Sequence, residues 1–129
     1  MTEAVLVFVV EDEPALRFLV EDALTDGGFT VAMAGSGEEA MAMLDAEGAH
    51  YRALITDVNL RGRVTGWDVA RRARELNDGL PVIYVTGGSA HDWASKGVPN
   101  SILLTKPFAI AQVVTAVAQL LNAHPDGHG

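Results

Sequence analysis

Short β-branched runs alternate five times with amphipathic stretches, and this alternation constrains the chain more than any other feature. Val5 to Val10, Phe29 to Met33, Ala53 to Thr56, Val82 to Thr86 and Ile102 to Thr105 read as strands. Several are apolar at consecutive positions, as strands covered on both faces are, so the expected sheet is parallel with helices above and below. The first helix opens at Pro14, where a missing N–H costs nothing, and carries Leu16, Leu19, Val20, Ala23 and Leu24 on one face until Gly27 and Gly28 stop it. Ser36 and Glu39, then Thr65 and Asp68, have the spacing of helix-starting capping boxes. Ala40, Met43 and Leu44 face inward in the second helix, and Val69, Ala73 and Leu76 in the third, which runs to about Asn77. Ile110, Val113, Val114, Val117, Leu120 and Leu121 make the clearest stripe, the fifth helix. Ser89 to Asn100 is diluted by glycine, proline and serine, so any fourth helix there is expected to be short and mobile.

At 129 residues and 49% hydrophobic the chain can bury one core but not two. One domain, residues 1–122, is expected, with 123–129 a polar tail. A net charge of -8 argues against direct nucleic-acid binding. The five arginines between Arg61 and Arg74 sit among acids and read as a solvated helix face. No cysteine is present, and no apolar run is long enough to span a bilayer, so a cytoplasmic protein without membrane contact is expected.

In a doubly wound sheet, ligands collect outside the carboxyl ends of the strands. Glu11 and Asp12 follow strand one, Asp57 follows strand three, Thr86 ends strand four and Lys106 follows strand five. Carboxylates gathered at one edge repel one another unless a cation joins them, and Mg²⁺, which takes oxygen ligands and keeps several waters, suits them best. An aspartate can also act as a nucleophile toward phosphorus, with a metal, an ammonium and a hydroxyl stabilising the transferred group. Each residue alone has a plain reading: a helix-starting acidic pair, a loop aspartate, turn chemistry at Thr86-Gly87-Gly88, a strand exit at Lys106-Pro107. Their joint occurrence in this order on one edge favours the functional reading.

The segments "VVEDEP", "LITDVNL", "VIYVTGG" and "LTKPF" together make the chain resemble the receiver domain of bacterial two-component response regulators, from about Val5 to Leu121. The resemblance implies a flavodoxin-like (βα)5 fold with strand order 2-1-3-4-5. It implies that Asp57 is the phosphoacceptor, that Glu11, Asp12, Asp57 and the backbone carbonyl of Asn59 hold Mg²⁺, and that Thr86 and Lys106 contact the phosphoryl group. It also implies a cis bond between Lys106 and Pro107. The protein is then a regulatory phosphoacceptor that assists its own phosphorylation and dephosphorylation. Its partners are a histidine kinase or phosphotransfer protein, docking on helix one, and a downstream protein. A homodimer through the helix four, strand five and helix five face is a further contact the family suggests. The chain is read as a stand-alone receiver, with a piece of a longer protein as the other option.

The pattern is broken in three places. Leu103 stands where receivers usually carry an aromatic, Arg61 stands where a proline is common, and Gly66 comes one residue late. The first leaves open a receiver-like scaffold that works without phosphorylation. A phosphatase of the haloacid-dehalogenase type wants an aspartate two residues after the nucleophile, where this chain has Asn59. A flavin binder wants a hydroxyl-rich phosphate loop, and "EDEP" repels phosphate. His50, His91, His124 and His128 show no convergent ligand pattern, and Trp67 and Trp93 read as packing or partner-contact residues.

Overall fold

The computed structural model describes residues 5–106 and 110–123. Five strands, β1 (Leu6–Val10), β2 (Thr30–Ala34), β3 (Ala53–Asp57), β4 (Val82–Thr86) and β5 (Ile102–Thr105), form one parallel sheet in the order β2-β1-β3-β4-β5. Helices α1 (Pro14–Asp26), α2 (Gly37–Glu47), α3 (Gly66–Leu76), α4 (Trp93–Lys96) and α5 (Ile110–Ala123) alternate with the strands. Alternate strand residues divide between two cores. Phe8, Val10, Leu54 and Tyr84 pack with Leu44 of α2 and Val69 and Ala73 of α3. Val7, Val9, Ile55, Ile83 and Val85 pack on the other face with Val20 and Leu24 of α1 and Val113, Val117 and Leu120 of α5. The doubly covered, uninterrupted apolar strands are the reason the sheet is parallel.

Local chemistry sets the boundaries. Gly28, at φ 95, takes the left-handed position that ends α1. Its N–H donates to the Thr25 carbonyl and that of Phe29 to the Leu24 carbonyl. Phe29 is thereby claimed by the helix end, and β2 starts at Thr30, one residue later than its composition suggests. Thr65 and Asp68 form the complete reciprocal box at α3. At α2 the box is only half made: Ser36 Oγ accepts from Glu39 N–H at 3.0 Å, while Glu39 Oε1 accepts from the Gly35 amide at 2.7 Å instead.

The fourth helix is a single turn with no buried residue, preceded by a 3-10 turn at Ala90–Asp92. The arginine cluster is not wholly a solvated face. Arg71 and Arg72 pair with Asp68, Asp45 and Glu75. Arg74 instead turns inward, donating to the carbonyls of Leu80 at 2.6 Å and Pro99 at 2.7 Å. Trp67 is buried against Tyr84, with ring centroids 4.7 Å apart. Trp93 is partly exposed and donates to Ser101 Oγ at 2.9 Å. Pro107, and with it the Lys106–Pro107 bond, lies outside the described residues, as do His124 and His128. Among the described residues, no helix is long and apolar enough to cross a membrane.

Candidate functional site

The site is a consequence of register. Val10 pairs with Thr56 and Asp57 with Val85, so Glu11, the residue after β1, comes level with Asp57 on the neighbouring strand. The Glu11 amide continues the ladder onto the Ala34 carbonyl, and the Lys106 amide onto that of Thr86. Adjacent strands lie about 4.8 Å apart, so acidic residues at one height on neighbouring strands must approach one another. Asp57 is the last residue of β3 itself, not a residue beyond it. The fixed strand backbone leaves its carboxylate little freedom.

Glu11, Asp12 and Asp57 each offer a carboxylate oxygen within 4.8 Å of the other two. Glu11 and Asp57 are 4% and 5% exposed, too little for water alone to screen their repulsion. Burial, and then the Asp57 charge, push the Glu11 carboxyl up to about 7. Lys106 Nζ answers the cluster from the far side, 2.9 Å from Asp57 Oδ2. Burial alone pulls the Lys106 ammonium down, but the bond to Asp57 and the charges of Asp57, Glu11 and Glu13 outweigh it and hold the group above its ordinary value. The other Asp57 oxygen, Oδ1, accepts the Asn59 N–H at 3.3 Å. Glu11 Oε2 accepts the Glu13 N–H at 3.1 Å.

Thr86 is buried at the end of β4, and its Oγ1 accepts the amides of Ser89 at 2.9 Å and Gly88 at 3.3 Å. Both bonds use the oxygen's lone pairs, so the hydroxyl proton stays free to donate. Asn59 joins the cluster through its amide, and its side-chain oxygen accepts from Ser89 Oγ at 3.2 Å, tying the loop after β3 to the loop after β4.

Residues beyond the sequence motifs support the site. Arg17, one turn into α1, donates to the Glu11 carbonyl at 3.0 Å and braces the end of β1. A Cβ on Gly66 would meet the Asp57 carbonyl oxygen at 2.1 Å, so only glycine lets α3 begin so close to the acceptor strand. Neither Arg17 nor Ser89 carries a local signal, because each acts through a loop whose course the sequence does not declare.

The cluster tests well for Mg²⁺. Its three carboxylates are hard oxygen donors, mutually repulsive and only partly neutralised by Lys106, and they span a distance that an octahedral ion and its waters can bridge.

A parallel doubly wound sheet with an acidic pocket and a lysine at its carboxyl edge is the architecture of the receiver class. A sequence profile of the response regulator receiver domain matches residues 7–118. The chain therefore belongs to the response regulator receiver family. It is 33% identical over 123 residues to the transcriptional regulatory protein TcrA of Mycobacterium tuberculosis, covering 94% of this chain and 47% of that protein. It thus spans about half the length of that curated relative. The crystal structure of a response regulator receiver protein from Sinorhizobium medicae superposes with a TM-score of 0.90 at 45% identity, covering 94% of this chain and 97% of that one. The chemotaxis protein CheY4 of Vibrio cholerae gives 0.81 at 25% identity, covering 92% and 100%.

Proposed function

We propose that the protein is an Mg²⁺-dependent phosphoacceptor of two-component signalling, taking a phosphoryl group onto Asp57 from a histidine kinase or phosphotransfer protein. The observation that carries this reading is the placement of Asp57 between the Lys106 ammonium at 2.9 Å and the carboxylates of Glu11 and Asp12. Such a cluster is uncomfortable alone and suits a divalent cation together with a phosphoryl group.

Glu11, Asp12, Asp57 and the Asn59 carbonyl would hold the ion, which supplies positive charge against the phosphoryl oxygens when bound. A carboxylate oxygen of Asp57 forms the bond to phosphorus as the donor's phosphorus–nitrogen bond breaks and the imidazole leaves. Lys106, freed from part of its bond to Asp57, pairs with a phosphoryl oxygen, and Thr86 Oγ–H donates to another. Since Thr86 Oγ1 also anchors the Gly88 and Ser89 amides, its movement toward the phosphoryl group pulls on the loop leading to α4. That loop carries little burial, so altered protein contacts are the output. The protein acts in the cytoplasm and without contacting DNA itself, consistent with its charge of -8.

Incubation with Mg²⁺ and acetyl phosphate, or with a phosphorylated kinase, should give a hydroxylamine-labile adduct on Asp57. An Asp57→Asn protein that is labelled as well as wild type sinks the assignment. The alternative, a phosphorylation-independent scaffold, draws on Leu103. It predicts that beryllofluoride leaves partner binding unchanged, where the phosphoacceptor reading predicts a shift.

A further inference from the structure

Arg61 stands on the β3–α3 loop, four residues past Asp57. It touches the acidic cluster twice through one atom. Its backbone N–H donates to Asp12 Oδ2 at 2.9 Å, and its guanidinium Nε lies 3.9 Å from the same oxygen. The two partners differ sharply in their surroundings: the Asp12 side chain is 13% exposed, the Arg61 side chain 84%. The amide bond fixes where the loop sits. The guanidinium is an exposed cation at the rim, 3.9 Å from an oxygen of a residue placed in the metal set.

The charge balance of the mouth gives this cation a use. Glu11, Asp12 and Asp57 gather at the mouth, and the charges of Asp57, Glu11 and Glu13 act on Lys106, so an anionic phosphoryl donor approaches a negative opening. We propose that Arg61 is a positioning residue for the phosphoryl donor. In the metal-free protein its guanidinium neutralises Asp12, and once Mg²⁺ takes that oxygen, the arginine turns to the phosphate oxygens of the incoming donor. An arginine suits this duty because its planar donors match phosphate geometry and its charge is permanent. The backbone contact to Asp12 is independent of the side chain, so replacing Arg61 removes the cation while leaving the loop anchored. This inference rests on the phosphoacceptor reading above.

The test pairs calorimetric titration of Mg²⁺ with time courses of acetyl phosphate labelling at saturating Mg²⁺, in low and high salt, for wild type, Arg61→Ala and Arg61→Lys. Removing the competing cation should tighten Mg²⁺ binding about two- to fivefold in Arg61→Ala, the scale of one exposed ion pair. Labelling by acetyl phosphate should slow severalfold, with the gap narrowing as salt screens the steering charge. Phosphoramidate, which carries less negative charge, should show a smaller gap, and Arg61→Lys should recover part of both effects. Unchanged Mg²⁺ affinity, an unchanged labelling rate, or a rate gap indifferent to salt each overturns the role of Arg61 while leaving Asp57 as acceptor. Wild-type protein that binds Mg²⁺ but accepts no phosphoryl group overturns the phosphoacceptor reading, and this inference with it.

Discussion

Glu11, one residue past β1, stands level with Asp57 at the end of β3, both buried, and the Asp57 charge adds to the burial that raises the cost of the Glu11 charge. Relief of that repulsion can be measured without any phosphoryl chemistry. Asp57→Asn keeps the shape and removes one charge, so the Glu11 carboxyl should fall back toward the ordinary carboxylate range. The metal-free variant should melt several degrees higher than wild type near pH 8, the scale of about 1 kcal/mol in a domain of this size. Because the substitution also weakens the Lys106 bond, the decisive reading is Glu11 itself: a Glu11 carboxyl that stays at about 7 in the variant would mean the two carboxylates are not repelling one another.

The same pair gives the protein a pH dependence of defined sign. Glu11 titrates near 7 in the folded chain against 4.5 in its ordinary state, so between those values the folded protein holds a proton that the unfolded chain releases. Stability of the metal-free protein is therefore greatest below about 4.5 as far as Glu11 is concerned, and is lost as pH rises through about 7. Mg²⁺ acts in the opposite sense, because protons compete with it for Glu11. Thermal melts from pH 5 to 8 should show the gain from saturating Mg²⁺ growing as pH rises. A gain independent of pH, or largest at pH 5, would remove Glu11 from the metal site.

Gly66 tests how tightly the acceptor strand is packed. An added methyl would land 2.1 Å from the Asp57 carbonyl oxygen and 2.8 Å from Val58 Cα, both of them backbone atoms that cannot swing aside. Gly66→Ala should cost about 3 kcal/mol, at the upper end of overpacking penalties, and displace Asp57 enough to weaken Mg²⁺ binding. Gly79→Ala, where an added Cβ meets nothing within 4 Å, is the matched control. Denaturant melts of the two variants decide it, and equal stabilities would show that α3 does not press on the acceptor.

Much of this was legible because it is local or periodic. Uninterrupted apolar runs announced a doubly covered parallel sheet, and the alternation fixed which edge receives Glu11, Asp57, Thr86 and Lys106. The Thr65–Asp68 box was read correctly from spacing alone, since both partners lie within one turn. The start of β2 was misread because Phe29 has strand composition, while its amide is committed to the Leu24 carbonyl by the helix ending at Gly28. Glu39 was misjudged for a similar reason, as its carboxylate prefers the Gly35 amide to that of Ser36. Arg74, Arg17 and Ser89 act on carbonyls or side chains far along the chain, and nothing in their immediate neighbours marks them. Leu103 looked like the loss of a buried aromatic. The register shows that a ring does stand there, one strand over, because Tyr84 of β4 pairs with Leu103 of β5.

Tyr84 is fully buried, tilts against Trp67 and accepts the Val98 N–H on its hydroxyl oxygen at 3.0 Å. Val98 leads to Ser101, whose Oγ donates to the Val98 carbonyl at 2.7 Å and accepts from Trp93 Nε1 at 2.9 Å. One tyrosine hydroxyl thus fixes the short connection between α4 and β5, while Thr86 holds the loop that enters α4 from the other side. Tyr84→Phe keeps the ring packing but strands a buried N–H, and should cost about 1–2 kcal/mol. The loss should be concentrated in the α4–β5 connection: amides near Val98 should exchange much faster with solvent, while those of β1 and β3 follow only the small global change. Trp93, partly exposed and bonded through Ser101, should report the loosening as a shift in its fluorescence relative to wild type. If Tyr84→Phe is as stable as wild type and the Val98 amide keeps its protection, the hydroxyl is a bystander and the connection is held by packing alone.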